Sequence, residues 1–247
     1  MRHPARRLAL ALLAALAAGP APAAIPSAAK IAEAVARASA AAGRSGPLWL
    51  DVTLTLGEGE PAATGVLASH PTGLARLELR HKSGFVERHL LLGDDYRASR
   101  DGQLLREPHP FLPPLFLLQA TSGAALQAAL ASYGVASDVV ELGRQGDRDC
   151  YVLGGRAPRG PGGAEGAPLP ALWVDAESFE PLRLDRRDGV QLRFGPALAF
   201  GAIRAPGFVT IASPGRPLAR LEITRVAPAN APAAGFAPGW LTAPATP

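Results

Sequence analysis

The chain offers few side chains that could take part in catalysis or bind a metal. Of its five histidines, His70, His81, His89 and His109 are spread over apparent strands and a loop. A protein zinc site needs three or four ligands gathered at short, regular spacings, and these histidines show no such grouping. We therefore interpret them as ordinary surface or core residues and predict no metal site.

Two acidic segments and one thiol are the remaining chemical candidates. Residues 94–95 and 100–102 superficially resemble a calcium loop, but they lack its alternating oxygen ligands and terminal Glu, so turn formation explains them better. The only cysteine, Cys150, stands between Asp149 and Tyr151. Because a neighbouring carboxylate disfavours the thiolate, we expect this cysteine to be structural and not a nucleophile.

The sequence also lacks the short motifs that accompany common reactions. It contains no Gly-x-Ser-x-Gly elbow, no Gly-Lys-Ser/Thr phosphate loop and no His-Glu-x-x-His pair. Together with the scattered histidines, this favours a protein that is not an enzyme and that needs no cofactor.

The amino terminus has the pattern of an export signal. Three arginines precede the apolar run at 8–18, which is too short to span a bilayer, and Ala21 and Ala23 form an Ala-x-Ala cleavage pattern before Ala24. The pattern predicts a signal peptide over residues 1–23. No cysteine follows it to accept a lipid, so we expect a soluble exported protein.

The charge of the remaining chain argues against nucleic acid as a partner. Removal of residues 1–23 takes away three arginines and no acidic residue, which lowers the formal net charge from +4 to +1. Basic and acidic residues also interleave along apparent strands, as in Arg76, Glu78 and Arg80, which is typical of a solvated sheet face. The length of 24–247 suits one large β domain.

Alternating apolar and polar residues predict a mostly β fold. From 48 to 56, leucine or valine alternates with Trp49, Asp51, Thr53 and Thr55, which predicts a strand with one aliphatic face. A meander follows at 171–194, in which Leu182 and Leu184 are expected to face the interior and Arg183 and Asp185 to face water. Further strands are predicted at 62–68, 73–81, 85–92, 94–99, 137–143 and 147–154.

Helices and loops are predicted where this alternation stops. Residues 28–42 suit one helix, with Ser27 as its N-cap and Gly43 as its end. The apolar, proline-interrupted stretch 111–118 suits a loop and short helix laid over the sheet, either closing the core or covering a cavity, and 122–133 suits a second helix. Residues 155–170, rich in Gly and Pro, predict an exposed, flexible loop.

Several short blocks follow one another in a recognisable order along the predicted mature chain. They are Gly65-Val66-Leu67 followed by His70-Pro71 and Arg76, Asp101-Gly102 with Leu105, Pro110-Phe111-Leu112, residues 172–194 and residues 221–236. Together these blocks resemble the LolA-like family of periplasmic carriers of outer-membrane lipoproteins, and the resemblance covers most of the predicted mature chain. His70 takes the place of an arginine that, in this family, is associated with holding a lid closed.

The resemblance implies an open antiparallel half-barrel covered by short lid helices, with one N-terminal helix, in a single domain over 24–247. It implies a monomeric periplasmic carrier, whose partners would be the acyl chains of its cargo and membrane-bound donor and acceptor proteins. His70 becomes the candidate for lid control. The candidate cavity residues are Leu50, Val52, Leu54, Leu67, Leu77, Leu79, Leu192 and Phe194, and the candidate lid residues are Phe111, Leu112, Leu115 and Phe116.

Other interpretations remain open at this point. Each of these apolar residues, taken singly, is better explained as part of an ordinary core, and only their collective pattern supports a cavity. A divergent relative carrying another lipid-like cargo, a lipid- or protein-binding envelope sensor without a transport role, and a structural protein with a closed core are all consistent with the same sequence.

Overall fold

The computed structural model describes residues 25–155 and 169–244. The predicted signal peptide at 1–23 and most of the predicted loop at 155–170 lie outside these ranges. The described chain is mostly β, with one large antiparallel sheet that is not closed into a barrel and two α-helices. This confirms the predicted fold class of an open half-barrel with helices.

Helix α1, Ala28–Ala41, begins and ends close to the predicted positions. The Ser27 side chain accepts a hydrogen bond from the Lys30 backbone N–H at 3.4 Å, and Gly43 follows the helix with a φ of 73°. Ile31 and Val35, four residues apart, are almost completely buried against the sheet. The alanine-rich sequence therefore forms a helix with one apolar face on the sheet.

The first half of the chain forms a meander of six neighbouring antiparallel strands, of which the first five match the predicted strands within a few residues and the sixth, of two residues, was not predicted. The strands are β1 Leu48–Leu56, β2 Pro61–His70, β3 Leu74–His81, β4 Val86–Leu92, β5 Asp95–Arg100 and β6 Gln103–Leu104.

The second half begins with a cover and then continues the sheet. A short 3-10 helix, Leu115–Gln119, is followed by α2, Gly123–Ser132, whose first turn is capped by Ser122. The strands that follow are β7 Val140–Gln145, β8 Arg148–Leu153, β9 Ala171–Asp175, β10 Pro181–Asp185, β11 Gln191–Phe194, β12 Ala197–Phe200, β13 Ile203–Pro206, β14 Phe208–Ala212 and β15 Ala219–Pro228.

The two halves join through the first and last strands. The order in the thirteen-stranded sheet is β6-β5-β4-β3-β2-β1-β15-β14-β11-β10-β9-β8-β7, with β12 and β13 forming a separate pair. Leu48 pairs with Pro228 and Leu56 with Ala219 at the two ends of the β1–β15 ladder. The short β6 and β7 are left as the two edges of the sheet.

One close approach between strands requires a glycine. Gly65 in β2 pairs with Leu79 in β3, and a Cβ at Gly65 would overlap the backbone oxygen of Glu78. No other residue type fits there without displacing β3. Glycine therefore allows β2 and β3 to approach closely in the half of the sheet under the lid.

The outer face of the sheet, opposite α1 and the lid, is partly covered by the C-terminal tail. Short 3-10 helices at Ala233–Phe236 and Pro238–Leu241 place Phe236 and Leu241 against the sheet, where both are buried. The Arg76 guanidinium lies 5.3 Å from the Trp49 ring centroid and donates to Gly235 O at 2.6 Å. Cation–π and hydrogen-bond contacts thus fix the tail to β1 and β3.

The predicted facing of the 182–185 segment is wrong in two respects. Asp185 is buried and accepts hydrogen bonds from Trp173 Nε1 at 2.9 Å and Arg183 Nε at 2.7 Å. Leu182 packs with Cys150 on the outer side, whereas Leu184 packs into the inner core. The β9–β10 register shifts between Pro181 and Arg183, which breaks the simple alternation that the prediction assumed.

None of the helices within the described ranges is long and apolar enough to cross a membrane.

Candidate functional site

The inner face of the sheet gathers the predicted cavity residues into one place. They come from β1, β2, β3 and β11, on both sides of the β1–β15 pair, and all are buried. All belong to the same apolar cluster, together with Ile31 and Val35 of α1. These residues are Leu50, Val52, Leu54, Leu67, Leu77, Leu79, Leu192 and Phe194.

The predicted lid residues lie directly over this surface. Residues 111–119, which we call the lid, include Phe111, Leu112, Leu115 and Phe116, which are at most 5 % exposed. They belong to the same cluster as the cavity candidates, so the lid and the inner face pack against each other. Prolines at 113 and 114 explain why this segment is a loop and a 3-10 turn rather than a strand.

The lid fills the space that an acyl chain would need. A cavity lined by Leu48, Leu50, Leu115 and Leu118 lies between the lid and β1, and its volume is only about 10 Å³. That is no more than the space for a single water molecule. An acyl chain could therefore enter the space between the lid and β1 only if the lid moved away.

A buried arginine connects the lid to three other elements. Arg44, in the loop between α1 and β1, is only 2 % exposed. Its Nε donates to Leu118 O of the lid at 2.9 Å, its Nη1 donates to Arg204 O of β13 at 2.8 Å, and its Nη2 pairs with Glu180 Oε2 at 2.6 Å. The planar guanidinium thereby uses three donors on three partners, which a lysine could not reproduce.

Further hydrogen bonds hold the same end of the lid. Ser39 Oγ of α1 also donates to Leu118 O, at 2.7 Å. Gln119 accepts from Ser69 Oγ and donates to Gly46 O at 2.8 Å. We call Ser39, Arg44, Ser69 and Gln119 the lid tether. All four are buried, so the bonds are shielded from competing water.

His70, the candidate for lid control, lies next to the tether but outside it. Its Nδ1 is 2.7 Å from Thr72 Oγ1, and its ring lies edge-on to Phe236 of the C-terminal tail with centroids 6.1 Å apart. Neither partner belongs to the lid. The strand neighbour Ser69 contacts the lid instead, because successive side chains of β2 point to opposite faces.

Sequence reasoning missed Arg44, because no local pattern distinguishes it. It stands in the short segment Gly43-Arg44-Ser45-Gly46, which reads as an ordinary turn. Its partners are 74, 160 and 136 residues away along the chain.

A second polar group holds the start of the lid. Tyr96 Oη donates to His109 O at 2.6 Å and lies 2.8 Å from His89 Nδ1. The His89 ring packs edge-on against Phe111, with centroids 5.6 Å apart. His89 is completely buried, so this histidine connects β4 to the first residues of the lid.

Glu87 is the acidic neighbour of His89. Its Oε2 lies 3.6 Å from His89 Nε2 and 3.4 Å from His81 Nε2, while Oε1 accepts from Arg100 Nη2 at 2.6 Å. Burial by itself would raise the pKa of Glu87, but the nearby His89 and the hydrogen bond from Arg100 outweigh burial and lower the pKa to about 2. Burial lowers the pKa of His89, and Glu87 offsets part of that effect.

The Glu87→Gln variant is expected to lose stability in a pH-dependent way. The folded pKa is about 2, below the ordinary 4.5, so the carboxylate stabilises the fold above pH 4.5 and loses that effect as the pH falls toward 2. Urea unfolding should show the variant less stable by about 2 kcal/mol at pH 7, with the difference shrinking below pH 4.5. The matched control is Glu222→Gln, an exposed carboxylate paired with Arg220. A difference that persists unchanged to pH 3 would contradict the assignment.

Cys150 is buried on the outer side of β8, with Trp173 and Leu182. Burial raises the pKa of its thiol, and Asp175 and Asp149 raise it further. A thiol in this setting is a poor nucleophile, in agreement with the structural role predicted for it.

Titratable side chains do not gather into a metal site in the part of the chain that the structure describes. Within 25–155 and 169–244, no group of three or more His, Cys, Asp or Glu side chains is arranged to hold a metal ion. The four histidines lie in β2, at the end of β3, in β4 and just before the lid.

Solved structures show which known fold this arrangement matches. A LolA superfamily protein from Nitrosomonas europaea superposes with a TM-score of 0.53 at 12 % identity, over 88 % of this chain and 100 % of that one. A DUF1329 family protein from Desulfovibrio piger ATCC 29098 gives a TM-score of 0.49 at 13 % identity, over 87 % of this chain and 100 % of its own. No family model matches the sequence. No curated protein matches it either.

A third structure is a putative outer membrane lipoprotein-sorting protein domain from Vibrio parahaemolyticus, with a TM-score of 0.42, 14 % identity, and coverage of 87 % of this chain and 100 % of that one. At 12 % identity the likeness to the Nitrosomonas protein shows the fold alone. That likeness extends over 88 % of this chain, which confirms the LolA-like fold predicted from the sequence.

Proposed function

We propose that this LolA-like chain is a periplasmic carrier of acylated cargo, whose lid moves aside to let acyl chains bind the inner face of the half-barrel. One observation carries the proposal. The lid covers an aliphatic sheet face with apolar side chains, and buried polar bonds hold it at its two ends. A segment built in this way can leave as a unit without breaking the β-ladders beneath it.

The free energy gained by burying the lid side chains and the free energy gained by burying an acyl chain are of similar size. Four lid side chains, each stabilised by roughly 1.5–3 kcal/mol on burial, together contribute about 6–12 kcal/mol. An acyl chain of about 14 methylenes, at roughly 0.8 kcal/mol each, would gain about 11 kcal/mol on the same surface. Lid and acyl chain are therefore comparable occupants of the inner face, which makes binding reversible and suits a carrier. No covalent step is required.

The location and the partners follow from the same proposal. The export signal predicted at 1–23 would deliver the chain to the periplasm, where residues 24–247 would act as one domain. The carrier would receive its acylated cargo from a membrane-bound donor protein and release it to a membrane-bound acceptor. The cargo would be a lipoprotein or another lipid with acyl chains long enough to cover the inner face.

The test is acyl binding by the full mature chain. The protein is purified without detergent, mixed with a synthetic lipopeptide carrying diacylglyceryl-cysteine, and measured by native mass spectrometry. We expect a one-to-one complex and faster proteolysis of the 105–122 segment in its presence, because the lid is displaced. Leu54→Gln on the sheet and Leu115→Gln on the lid place an unpaired amide on the apolar surface, which costs about 1–3 kcal/mol and weakens binding about tenfold or more.

The matched control is Val66→Gln, since Val66 lies on β2 and is 41 % exposed. It should bind like the unmodified protein. Circular dichroism must first show that each variant is folded. Two buried positions are substituted separately, so that the experiment still gives a result if one variant fails to fold. A folded, unmodified protein that takes up neither lipopeptide nor fatty acid would contradict the carrier proposal and leave a protein-binding sensor or a closed structural domain.

A further inference from the structure

A charged pocket lies where three distant parts of the chain meet beside the cover of the half-barrel. It lies between the β4–β5 turn, the C-terminal end of α2 and the β10–β11 turn, and its volume is about 500 Å³. Tyr133 joins the three parts, because its hydroxyl donates to Gly93 O at 3.1 Å and its ring lies 5.8 Å from the Arg186 guanidinium. We call this space the rim pocket. Its charged lining residues are Asp94, Arg186, Arg187 and Asp188.

Two of these four charges are already paired with each other. Arg186 Nη2 lies 2.8 Å from Asp188 Oδ2, and Arg186 is largely covered by the Tyr133 ring and its surroundings. This pair closes one side of the pocket and leaves no net charge there.

The other two charges face the same space without an ion-pair partner. Within the described ranges, no carboxylate lies within 4 Å of the Arg187 guanidinium, and no cation lies within 4 Å of the Asp94 carboxylate. Arg187 lies against Gly134, where its Nη2 would be 3.2 Å from an added Cβ. The pocket therefore presents one available cation and one available anion to a single occupant.

The position of α2 favours one orientation for a ligand that lies between Asp94 and Arg187. The C-terminal residues Ala131 and Ser132 line the pocket, and the C-terminal end of a helix carries partial negative charge. A positive group is favoured on the side of α2 and Asp94, and a negative group on the side of Arg187. Guanidinium groups are well suited to phosphate oxygens.

The floor of the rim pocket is also the edge of the apolar core. Tyr133 is 7 % exposed and belongs to the cluster that contains the lid and the inner face. Its ring lies 6.3 Å from the ring of the lid residue Phe116. A single ligand could thus place a charged headgroup in the rim pocket while its acyl chains pass beside Tyr133 to the inner face.

We infer that the rim pocket binds the zwitterionic headgroup of an aminophospholipid-like cargo, with its phosphate on Arg187 and its primary ammonium on Asp94 and the end of α2. The inference rests on the proposed carrier function and adds the headgroup class of the cargo. Acyl chains supply the affinity, and the rim pocket selects among lipids that share the same chains.

The test is a competition among three lipids with identical acyl chains. Phosphatidylethanolamine, phosphatidylglycerol and diacylglycerol are offered to the mature chain in equal amounts, and the bound lipids are counted by native mass spectrometry. We expect phosphatidylethanolamine to be bound about tenfold over diacylglycerol, the effect of one charge-assisted hydrogen bond in partial contact with water. Phosphatidylglycerol should fall between the two.

The variants separate the two halves of the headgroup. Arg187→Gln should remove the preference for phosphatidylglycerol over diacylglycerol and reduce that for phosphatidylethanolamine, whereas Asp94→Asn should remove only the preference for phosphatidylethanolamine over phosphatidylglycerol. Arg193→Gln is the matched control, because Arg193 is an exposed arginine on the adjacent β11 whose Nε bonds to Gln191 at 2.8 Å. It should behave like the unmodified protein. All three positions are exposed, so the variants are expected to fold.

The outcomes of this test separate the inferred headgroup site from the carrier function on which it rests. Equal uptake of all three lipids, preference for phosphatidylglycerol, or an unchanged preference in Arg187→Gln would overturn the headgroup site while leaving acyl binding intact. Failure of the unmodified protein to bind any of the three lipids would overturn the headgroup site, and it would overturn the carrier proposal as well only if the lipopeptide and fatty acid were also refused.

Discussion

Replacement of Arg44 by leucine is expected to release the lid before it unfolds the sheet. The change removes three hydrogen bonds at once and leaves Glu180 without its cation. Removal of one partner from a buried ion pair costs about 3–5 kcal/mol, and the partial exposure of Glu180 places this case near the lower value, about 3 kcal/mol. Leucine fills part of the volume but donates to nothing.

The measurement is amide hydrogen exchange resolved along the chain. Amides of residues 115–120 should lose protection by a larger factor than those of β3, because the tether bonds the lid directly and includes no residue of β3. Arg44→Lys should give an intermediate loss, since its ammonium cannot serve three partners in one plane. The matched control is Arg225→Leu, an arginine whose side chain is 74 % exposed. A uniform loss of protection across lid and sheet would show that Arg44 stabilises the whole fold and does not act on the lid.

Acyl binding gives a second measurement on the same variant. If the tether holds the lid closed, its loss lowers the cost of opening, and the Arg44→Leu protein should bind lipopeptide more tightly than the unmodified chain while being less stable. Weaker binding by a folded variant would contradict a closing role for Arg44.

Gly65→Ala is expected to destabilise the sheet by about 3 kcal/mol, at the upper end of the usual cost of overpacking. The new Cβ would overlap Glu78 O and lie 2.9 Å from Leu79 Cδ2. The leucine side chain can rotate, but the backbone oxygen cannot move without disturbing the β2–β3 ladder. Thermal and urea unfolding, followed by far-ultraviolet circular dichroism, measure the loss.

Gly59→Ala is the matched control for this change. Gly59 lies in the turn between β1 and β2, where an added Cβ would meet only Leu56 O at 3.5 Å, an ordinary contact. The free energy of unfolding of the Gly59→Ala variant should remain within about 0.5 kcal/mol of that of the unmodified protein. Equal stability of the Gly65 and Gly59 variants would mean that β2 and β3 separate easily, contrary to the close approach described above.

The fold was largely predictable because its signals are local. Alternation at 48–56 and turn residues between the other runs placed most strands within a few residues. The Ser27 cap and the alanine-rich composition of 28–42 and 122–133 placed both helices. The errors at Leu182 and Asp185 have a non-local cause, because the register shift that turns them depends on the partner strand β9. Strict alternation cannot show such a shift.

The candidate site was predictable only in part. Apolar composition identified the inner face and the lid, since both are dense in leucine and phenylalanine. It could not show whether these surfaces touch or enclose a cavity, because that depends on packing across the whole cluster. The lid tether could not be predicted from the sequence for the same reason, since Leu118, Glu180 and Arg204 meet Arg44 only in the folded chain.

The β1–β15 ladder also determines the order in which the molecule can fold. Residues 48–56 pair with residues 219–228, so the contacts between the two halves of the sheet span most of the chain length. Contacts of this separation make folding slow, because a long loop must close before they form. The β1–β6 meander can assemble early, but β1 keeps an open edge until the last strand arrives. A chain that folds in this order passes through a state with exposed apolar strands, which is the state most prone to aggregation.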